Sequence, residues 1–100
     1  TKLSGRITDD SFSMQPSFAG LAPLGWKVIE VADGHDLQAV YSALETGIAE
    51  AKSNPAQPVC LWVKTIKGKG IKEFEDDPIW HARKLQGKEI EIGKKKLGIT

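Results

Sequence analysis

The sequence predicts an α/β fold built on one βαβ unit, taken from a parallel sheet that is flanked by helices. Two short segments rich in apolar and β-branched residues, 26–31 and 58–65, enclose a helical pattern at residues 36–53. The second segment contains the unbroken apolar run Val59–Val63. Continuous apolar runs are typical of strands buried on both faces of a parallel sheet. A right-handed crossover is therefore expected between the two strands.

Size and composition are those of one globular domain, with 100 residues, 40% of them hydrophobic and 27% charged. The net charge of +1 supplies no long-range field, so charge alone favours neither nucleic acid nor a membrane surface. No apolar run approaches the roughly 20 residues of a membrane span, and no signal-peptide pattern occurs, so we expect a cytoplasmic protein. The single cysteine, Cys60, excludes an internal disulfide and a zinc site made of cysteines.

The amino-terminal third predicts a loop, a short helix and a strand. Residues 1–15 carry no helix or strand pattern, and Pro16 is placed to open a short helix. The first strand covers residues 26–31. The segment Ala32–His35 then predicts a tight turn before the main helix.

The clearest helix covers Asp36–Ser53. One apolar face repeats at helical spacing and consists of Leu37, Val40, Tyr41, Leu44 and Ile48. Asp36 is placed to cap the first turn, and Asn54-Pro55 is placed to end the helix. Gly47 costs this helix about 1 kcal/mol relative to alanine, so tertiary packing has to stabilise it.

The segment after the second strand permits two interpretations. Glu89–Ile92 alternates as a strand does, whereas Ile90 and Leu97 share one face of a helix, and the helix is the interpretation we prefer. Ligands of parallel sheets bind beyond the carboxyl ends of the strands. Two predicted loops leave those ends, at Ala32–Asp36 and Lys67–Trp80, so a ligand is expected there.

The second of these loops contains a lysine-rich run. Four lysines between Lys64 and Lys72 are followed at once by four acidic residues, which cancel the positive charge within a Debye length of about 8 Å. A nucleic-acid patch is therefore disfavoured. The segment Gly68-Lys69-Gly70 lacks the spacing and the Ser or Thr of a P-loop, but its glycines give backbone freedom after a strand. A solvated surface loop is the alternative reading of this segment.

Two histidines are the candidate reactive side chains. His81 follows a proline turn, and a neutral imidazole there can donate to a phosphate oxygen or move a proton near pH 7. A loop histidine without a function is the alternative. His35 is expected to have a structural role, by capping or by bonding to Asp33, and a metal pair of the two histidines lacks a third ligand at a recognisable spacing. Cys60 is expected to be an inert residue of the core.

Four motifs follow one another along the chain: Gly25-Trp26, Asp33-Gly34-His35-Asp36, Lys64–Gly70 with the sequence KTIKGKG, and Trp80-His81. Their order and spacing resemble the thiamine-diphosphate domain of the transketolase family, and more narrowly the proteins that correspond to its amino-terminal half. The resemblance covers nearly the whole chain. It implies that residues 1–100 form a single partial domain, the carboxyl-terminal portion of a thiamine-diphosphate-binding fold.

The resemblance also implies which residues contact the cofactor. Leu3 and Ile66 correspond to apolar residues that contact thiamine diphosphate, and His81 corresponds to the catalytic histidine near the diphosphate and the reacting oxygens of the substrate. The carbonyl of Thr1 corresponds to a backbone ligand of the metal, Mg²⁺ or Ca²⁺. Family members usually carry glycine after this histidine, where the chain has Ala82.

The activity implied by the resemblance is that of a transketolase-like transferase. Such enzymes move a two-carbon ketol unit between sugar phosphates of the pentose phosphate pathway, as homodimers whose active site lies between subunits. The family's Gly-Asp-Gly motif, its Asn metal ligand and its pyrimidine-binding domain do not occur in this sequence, which begins at Thr1. We therefore expect a piece of a longer enzyme that needs the remainder, a sugar phosphate and a second subunit, and that is inactive alone.

Three alternatives stay open. The chain can belong to a 1-deoxyxylulose-5-phosphate synthase or to a pyruvate dehydrogenase-like thiamine enzyme, both of which start from pyruvate. It can also be a non-catalytic α/β interaction domain, which Ala82 and the missing motif would favour.

Overall fold

The computed structural model describes residues 15–99, which form two compact units that meet in the sequence between Thr65 and Ile66. None of the described helices has the length and apolar character that crossing a membrane requires. The elements in chain order are α1 (Gln15–Ala19), β1 (Lys27–Val31), α2 (Leu37–Ser53), β2 (Val59–Val63) and α3 (Lys88–Leu97), with short 3-10 helices at Ala22–Leu24, Lys72–Phe74 and Pro78–His81.

The first unit contains the βαβ arrangement, so the predicted α/β fold class is confirmed. Strands β1 and β2 pair in parallel, with Lys27 opposite Val59 at one end and Val31 opposite Val63 at the other. The strands are shorter than the predicted segments for a local reason. Trp26 donates its N–H to a turn carbonyl, that of Leu21, at 3.2 Å, so it is unavailable to the sheet.

Helix α2 has the predicted ends. The Asp36 carboxylate accepts hydrogen bonds from the N–H groups of Gln38 and Ala39 at 2.9 and 3.2 Å, which satisfies two free donors of the first turn. At the other end, the N–H of Asn54 donates to the Glu50 carbonyl at 2.9 Å before Pro55 stops the helix.

The face of α2 that packs on the sheet consists of small residues. Ala43 and Gly47 are buried, and a Cβ added at Gly47 would lie 2.8 Å from Cδ1 of Leu61 and 3.5 Å from Cγ1 of Val59. The helix and the strands lie close together at residue 47, where an added Cβ would require the end of the flexible Leu61 side chain to move. This contact supplies the tertiary packing that the helix-breaking glycine requires.

The large apolar residues predicted for one face of α2 mostly point away from the sheet. Leu37 is 82% exposed, and three others on the same stripe are also exposed, namely Tyr41, Leu44 and Ile48. Val40 alone of the predicted set is half-buried. Helical spacing identified the stripe, but the close approach at Gly47 decides which side of the helix meets the strands.

The opposite face of the sheet is covered in part by an aromatic stack. The Phe18 ring of α1 lies 5.4 Å from the Trp62 ring, centroid to centroid. The Lys64 ammonium lies 4.7 Å above the same indole and pairs with Glu30. All five residues of β2, including Cys60, are half-buried. Burial on both faces of this strand is therefore partial in the described residues.

The second unit is organised around Phe74, which is 8% exposed. Its ring centroid lies 4.5 Å from that of Trp80, and its Cε2 would be 3.9 Å from a Cβ added at Gly93 of α3. The same added Cβ at Gly93 would lie 3.8 Å from Cδ1 of Ile71 and 3.9 Å from Cδ1 of Leu85. The helical interpretation of the tail is thus confirmed, and glycine at the buried position 93 lets α3 lie against this cluster.

Among the described residues, two ion pairs connect α3 to the rest of its unit. Arg83 pairs with Glu89 in the first turn, and the Nζ of Lys96 lies 3.0 Å from a carboxylate oxygen of Glu73. The hydrogen bond from Lys96 is the main cause that holds the pKa of Glu73 below its ordinary value of 4.5, followed by a hydrogen bond to the Glu73 backbone.

The contact between Lys96 and Glu73 is expected to be sensitive to acid. Because the folded pKa of Glu73 is lowered, its contribution to stability is present above pH 4.5 and is lost as the pH falls through the folded pKa. We expect Lys96→Met to raise the pKa of Glu73 towards 4.5, as followed by NMR titration of its carboxyl carbon. Lys95→Met is the matched control and should leave that titration unchanged. The same Glu73 titration in all three proteins would contradict the contact.

Candidate functional site

Two of the four predicted contact residues lie in the part of the chain that the structure describes. Ile66 follows β2 by three positions, and its side chain is 42% exposed. His81 is the last residue of the 3-10 helix Pro78–His81 and is also exposed. Thr1 and Leu3 lie outside the described residues.

The chain that follows β2 turns sharply at its two glycines. Gly68 and Gly70 have φ angles of +74° and +113°, so the predicted backbone freedom is used at both positions. A Cβ at Gly68 would overlap the carbonyl oxygen of Phe74. Beside this approach, the Lys67 carbonyl accepts a hydrogen bond from the N–H of Asp76 at 2.8 Å. The loop therefore closes on itself at a point where only glycine fits.

The segment that carries His81 is held by the aromatic cluster. The ring of Trp80, which precedes His81, packs against Phe74 with an interplanar angle of 44°, and the Arg83 guanidinium lies 4.9 Å from the centre of the same ring. The Asp77 carboxylate accepts from the N–H of Ile79 at 3.0 Å and caps the 3-10 helix. The position of His81 is thus determined by the packing of the residues around it.

Trp80 also carries an unusual polar atom. Its indole Nε1 is buried and has no hydrogen-bond partner among the described residues. A buried donor without a partner costs about 1–3 kcal/mol. The packing of the Trp80 ring against Phe74 and the Arg83 guanidinium therefore has to outweigh that cost, and these contacts hold the loop in place.

The His81 side chain contacts Lys67, near the start of the loop that follows β2. The Nζ of Lys67 lies 3.1 Å from Nδ1 of His81, although the two residues are 14 positions apart. Lys67 directly follows Ile66, so the imidazole is brought back to the chain segment that leaves β2. Nothing in the sequence pattern indicated this pairing, because it depends on the closed path between Gly68 and Phe74.

Two other lysines of the run, Lys64 and Lys69, are paired with carboxylates. Lys64 pairs with Glu30, and the Nζ of Lys69 lies 3.8 Å from Oε1 of Glu75. The same Glu75 oxygen accepts a hydrogen bond from the N–H of Gly70 at 3.2 Å. These pairs reduce the positive charge that a polyanion would need. They agree with the sequence argument against a nucleic-acid patch.

The other predicted ligand loop, at Ala32–Asp36, lies in the first unit. The N–H of Gly34 donates to the Lys64 carbonyl at 2.7 Å, and a Cβ at Gly34 would lie only 2.7 Å from that oxygen. The backbone N–H of His35 donates to the Asp33 carboxylate at 2.9 Å. The predicted bond between His35 and Asp33 is therefore present, and it involves the backbone of the histidine.

Ala82 occupies the position where related proteins usually have glycine. Its φ angle is −142°, a value that alanine adopts without strain. The φ angle at this position is therefore not one that requires glycine.

Comparison with known proteins identifies the family of this chain. Residues 7–100 match the family model described as the thiamine diphosphate binding domain of transketolase. The chain belongs to this family. The family assignment made from the motifs is therefore confirmed, and with it the relation of the chain to thiamine-diphosphate-binding domains.

Curated members of the family are similar over part of the chain. "Transketolase 2" of Vibrio parahaemolyticus is 36% identical over 74 residues, which cover 74% of this chain and 10% of the relative. "Transketolase" of Nostoc sp. is 36% identical over 75 residues, covering 74% and 11%. "1-deoxy-D-xylulose-5-phosphate synthase" of Lysinibacillus sphaericus is 45% identical over 60 residues, covering 58% and 9%. The chain spans about a tenth of the length of these relatives.

The two described site residues have side chains of the kinds that can contact thiamine diphosphate. An exposed isoleucine suits an apolar ring, and an exposed imidazole suits an oxygen of a phosphate or a sugar. In residues 15–99 no group of three His, Cys, Asp or Glu side chains converges as a metal would require. The metal ligand implied by the family motif, the Thr1 carbonyl, falls outside that range.

The two loop glycines supply a matched test of the closed loop. Alanine is strained at any positive φ, by about 1–2 kcal/mol in the left-handed helical region, and Gly70 at +113° lies further from that region than Gly68 at +74°. Only at Gly68 does the new methyl group also overlap the Phe74 carbonyl, because nothing lies within 4 Å of a Cβ at Gly70. We expect Gly68→Ala to lower the free energy of unfolding by about 1–3 kcal/mol more than Gly70→Ala, measured by urea unfolding with tryptophan fluorescence. Equal losses would show that the close approach is absent.

Proposed function

We propose that this chain is the carboxyl-terminal part of the thiamine-diphosphate-binding domain of a transketolase-like transferase. The reaction would be transfer of a two-carbon ketol unit between sugar phosphates, with thiamine diphosphate and a divalent metal, Mg²⁺ or Ca²⁺. The observation that carries the proposal is the loop of residues 66–81, which holds His81 against Lys67 within a chain that matches the family over residues 7–100.

Each proposed contact has a stated role. Ile66 would pack against an apolar part of the cofactor, and its exposure directly after β2 supports this role. Leu3 would add a second apolar contact, and the carbonyl of Thr1 would bind the metal. Thiamine diphosphate, when bound, supplies the electron sink that cleavage of a ketose requires.

His81 would act on oxygen atoms. Cleavage of a ketose next to its carbonyl requires removal of the proton from the hydroxyl on the third carbon, and a positioned imidazole is a common group for such transfers. An imidazole can also stabilise an oxygen by donating a hydrogen bond. The exposed ring at the end of the 3-10 helix is available for either role.

The remaining partner would be the rest of the enzyme, including a pyrimidine-binding domain and a second subunit. Two observations support this. The curated relatives are about ten times longer than the matched segment. The stripe of Leu37, Tyr41, Leu44 and Ile48 on α2 is also exposed, as expected of a surface that further parts of a domain cover. We therefore expect the 100-residue chain alone to show no turnover of a ketose phosphate.

A second candidate is a 1-deoxyxylulose-5-phosphate synthase. It is favoured by the relative that is 45% identical over 60 residues, although the transketolase matches cover more of the chain. Assays of the enzyme that contains this chain, with pyruvate or with xylulose 5-phosphate as the donor, separate the two. Release of CO₂ from pyruvate would select the synthase, or a pyruvate dehydrogenase-like enzyme when no sugar phosphate is needed as acceptor.

Cofactor binding is the direct test of the proposal. Titration calorimetry of the enzyme that contains this chain should show binding of thiamine diphosphate in the presence of Mg²⁺, and weaker binding after chelation of the metal. Absence of binding under both conditions would favour a non-catalytic α/β interaction domain.

The proposed role of His81 predicts the effect of its removal. His81→Ala in the enzyme that contains this chain should lower kcat by about 10²–10⁴ and leave thiamine diphosphate affinity mostly unchanged, because the lost group acts on reacting oxygens. Lys69→Ala, in the same loop and paired with Glu75, is the control and should keep kcat within about twofold. Wild-type turnover in His81→Ala would exclude the role.

A further inference from the structure

We propose that Lys67 is a positioning residue, which fixes the tautomer of His81 and makes this histidine a hydrogen-bond donor through Nε2. The proposal decides between the two roles left open for His81, and its consequence for catalysis rests on the proposed function. It is carried by one contact, the 3.1 Å approach of Lys67 Nζ to His81 Nδ1.

The chemistry of the two groups sets the direction of this hydrogen bond. A lysine ammonium has three N–H donors and no acceptor. Nδ1 of His81 must therefore be the acceptor, and it can accept only when it carries no proton. A neutral imidazole with a bare Nδ1 carries its proton on Nε2. The contact thus selects one tautomer, in which Nε2–H is the group that His81 can offer to a ligand.

Both partners are held by the fold, so the contact is more than an encounter of two mobile side chains. On one side, the Lys67 carbonyl is tied to the N–H of Asp76 at 2.8 Å, next to the glycine that fits against Phe74. Lys67 is also half-buried. On the other side, His81 follows Trp80, whose ring packs against Phe74 at a centroid distance of 4.5 Å. One buried aromatic residue therefore supports both ends of the contact.

The selected tautomer restricts the chemistry of His81. With its proton on Nε2 and Nδ1 occupied by Lys67, the ring has no free lone pair with which to take a proton from a hydroxyl. It can instead donate to an oxygen that carries negative charge, such as a phosphate oxygen or an alkoxide. His81 would act as a base only after the Lys67 contact breaks. The chemical class of its ligand is therefore an anionic oxygen of the cofactor or of a sugar phosphate.

The tautomer can be observed directly in the 100-residue chain. Its two histidines, His35 and His81, allow assignment of every imidazole nitrogen in a long-range ¹H–¹⁵N correlation spectrum of labelled protein. At neutral pH we expect His81 to show protonated Nε2 and a bare Nδ1 shifted by an accepted hydrogen bond. Lys67→Met removes the donor at similar length and should move the Nδ1 signal to that of a nitrogen without a donor.

Two further variants serve as controls for that spectrum. Lys69→Met removes a lysine of the same loop that does not contact the ring, so it should leave the His81 signals unchanged. Lys67→Arg keeps a cationic donor and should retain the shifted Nδ1. A His81 that is protonated on Nδ1, or that shows an averaged tautomer mixture in the wild-type chain, overturns the proposal. An Nδ1 signal that is the same in Lys67→Met and Lys69→Met also overturns it.

Kinetics of the enzyme that contains this chain test the catalytic consequence. Lys67→Met should lower kcat about tenfold with KM little changed, the loss expected when one orienting hydrogen bond is removed. The same substitution in a His81→Ala background should cost little further, because the proposed effect of Lys67 on kcat requires the imidazole ring. A full tenfold loss in that background overturns the proposal.

The two sets of results separate this inference from the proposed function. The spectra need neither cofactor nor substrate, so an enzyme that fails to bind thiamine diphosphate would defeat the proposed function while the tautomer is still measured. If the enzyme binds thiamine diphosphate but His81 is protonated on Nδ1, the role of Lys67 would be excluded and the proposed function would stand.

Discussion

The close approach of Gly68 to the carbonyl of Phe74 is the constraint on which the second unit depends. It closes the chain that leaves β2 into a compact loop, since any Cβ at this position would overlap the carbonyl oxygen. The closed loop places the Phe74 ring in the interior, where Trp80 packs against it at a tilt and α3 approaches it at Gly93. Through these contacts one glycine determines where His81 and Lys67 meet.

Much of this architecture could be predicted because it is encoded locally. The apolar segments around a capped helix predicted the parallel βαβ unit, and Asp36 caps α2 as expected. The glycines after β2 predicted an exit with unusual backbone angles, which Gly68 and Gly70 show. The spacing of Ile90 and Leu97 favoured a helix in the tail, where α3 is found. Each of these features depends on residues a few positions apart, so pattern and spacing were sufficient.

Features that depend on the path of the chain could not be predicted in this way. The apolar stripe of α2 was visible, but the direction it faces is decided by the small residues Ala43 and Gly47, which have little weight in a hydrophobic pattern. Lys67 was one of four lysines in a charged run, and the pattern did not distinguish it from the others. Its contact with His81 spans 14 positions and depends on the closed loop, so the sequence pattern could not indicate the proposed positioning role.

Packing against Phe74 holds Lys67 and His81 together in the loop that follows β2. Nuclear Overhauser effects in the labelled chain test this most directly, because they report proton distances without cofactor or substrate. We expect cross-peaks between the Phe74 ring and the Trp80 indole, and between the terminal methylene of Lys67 and the His81 ring. An absence of both sets, with His81 at the chemical shifts of an unstructured histidine, would contradict it.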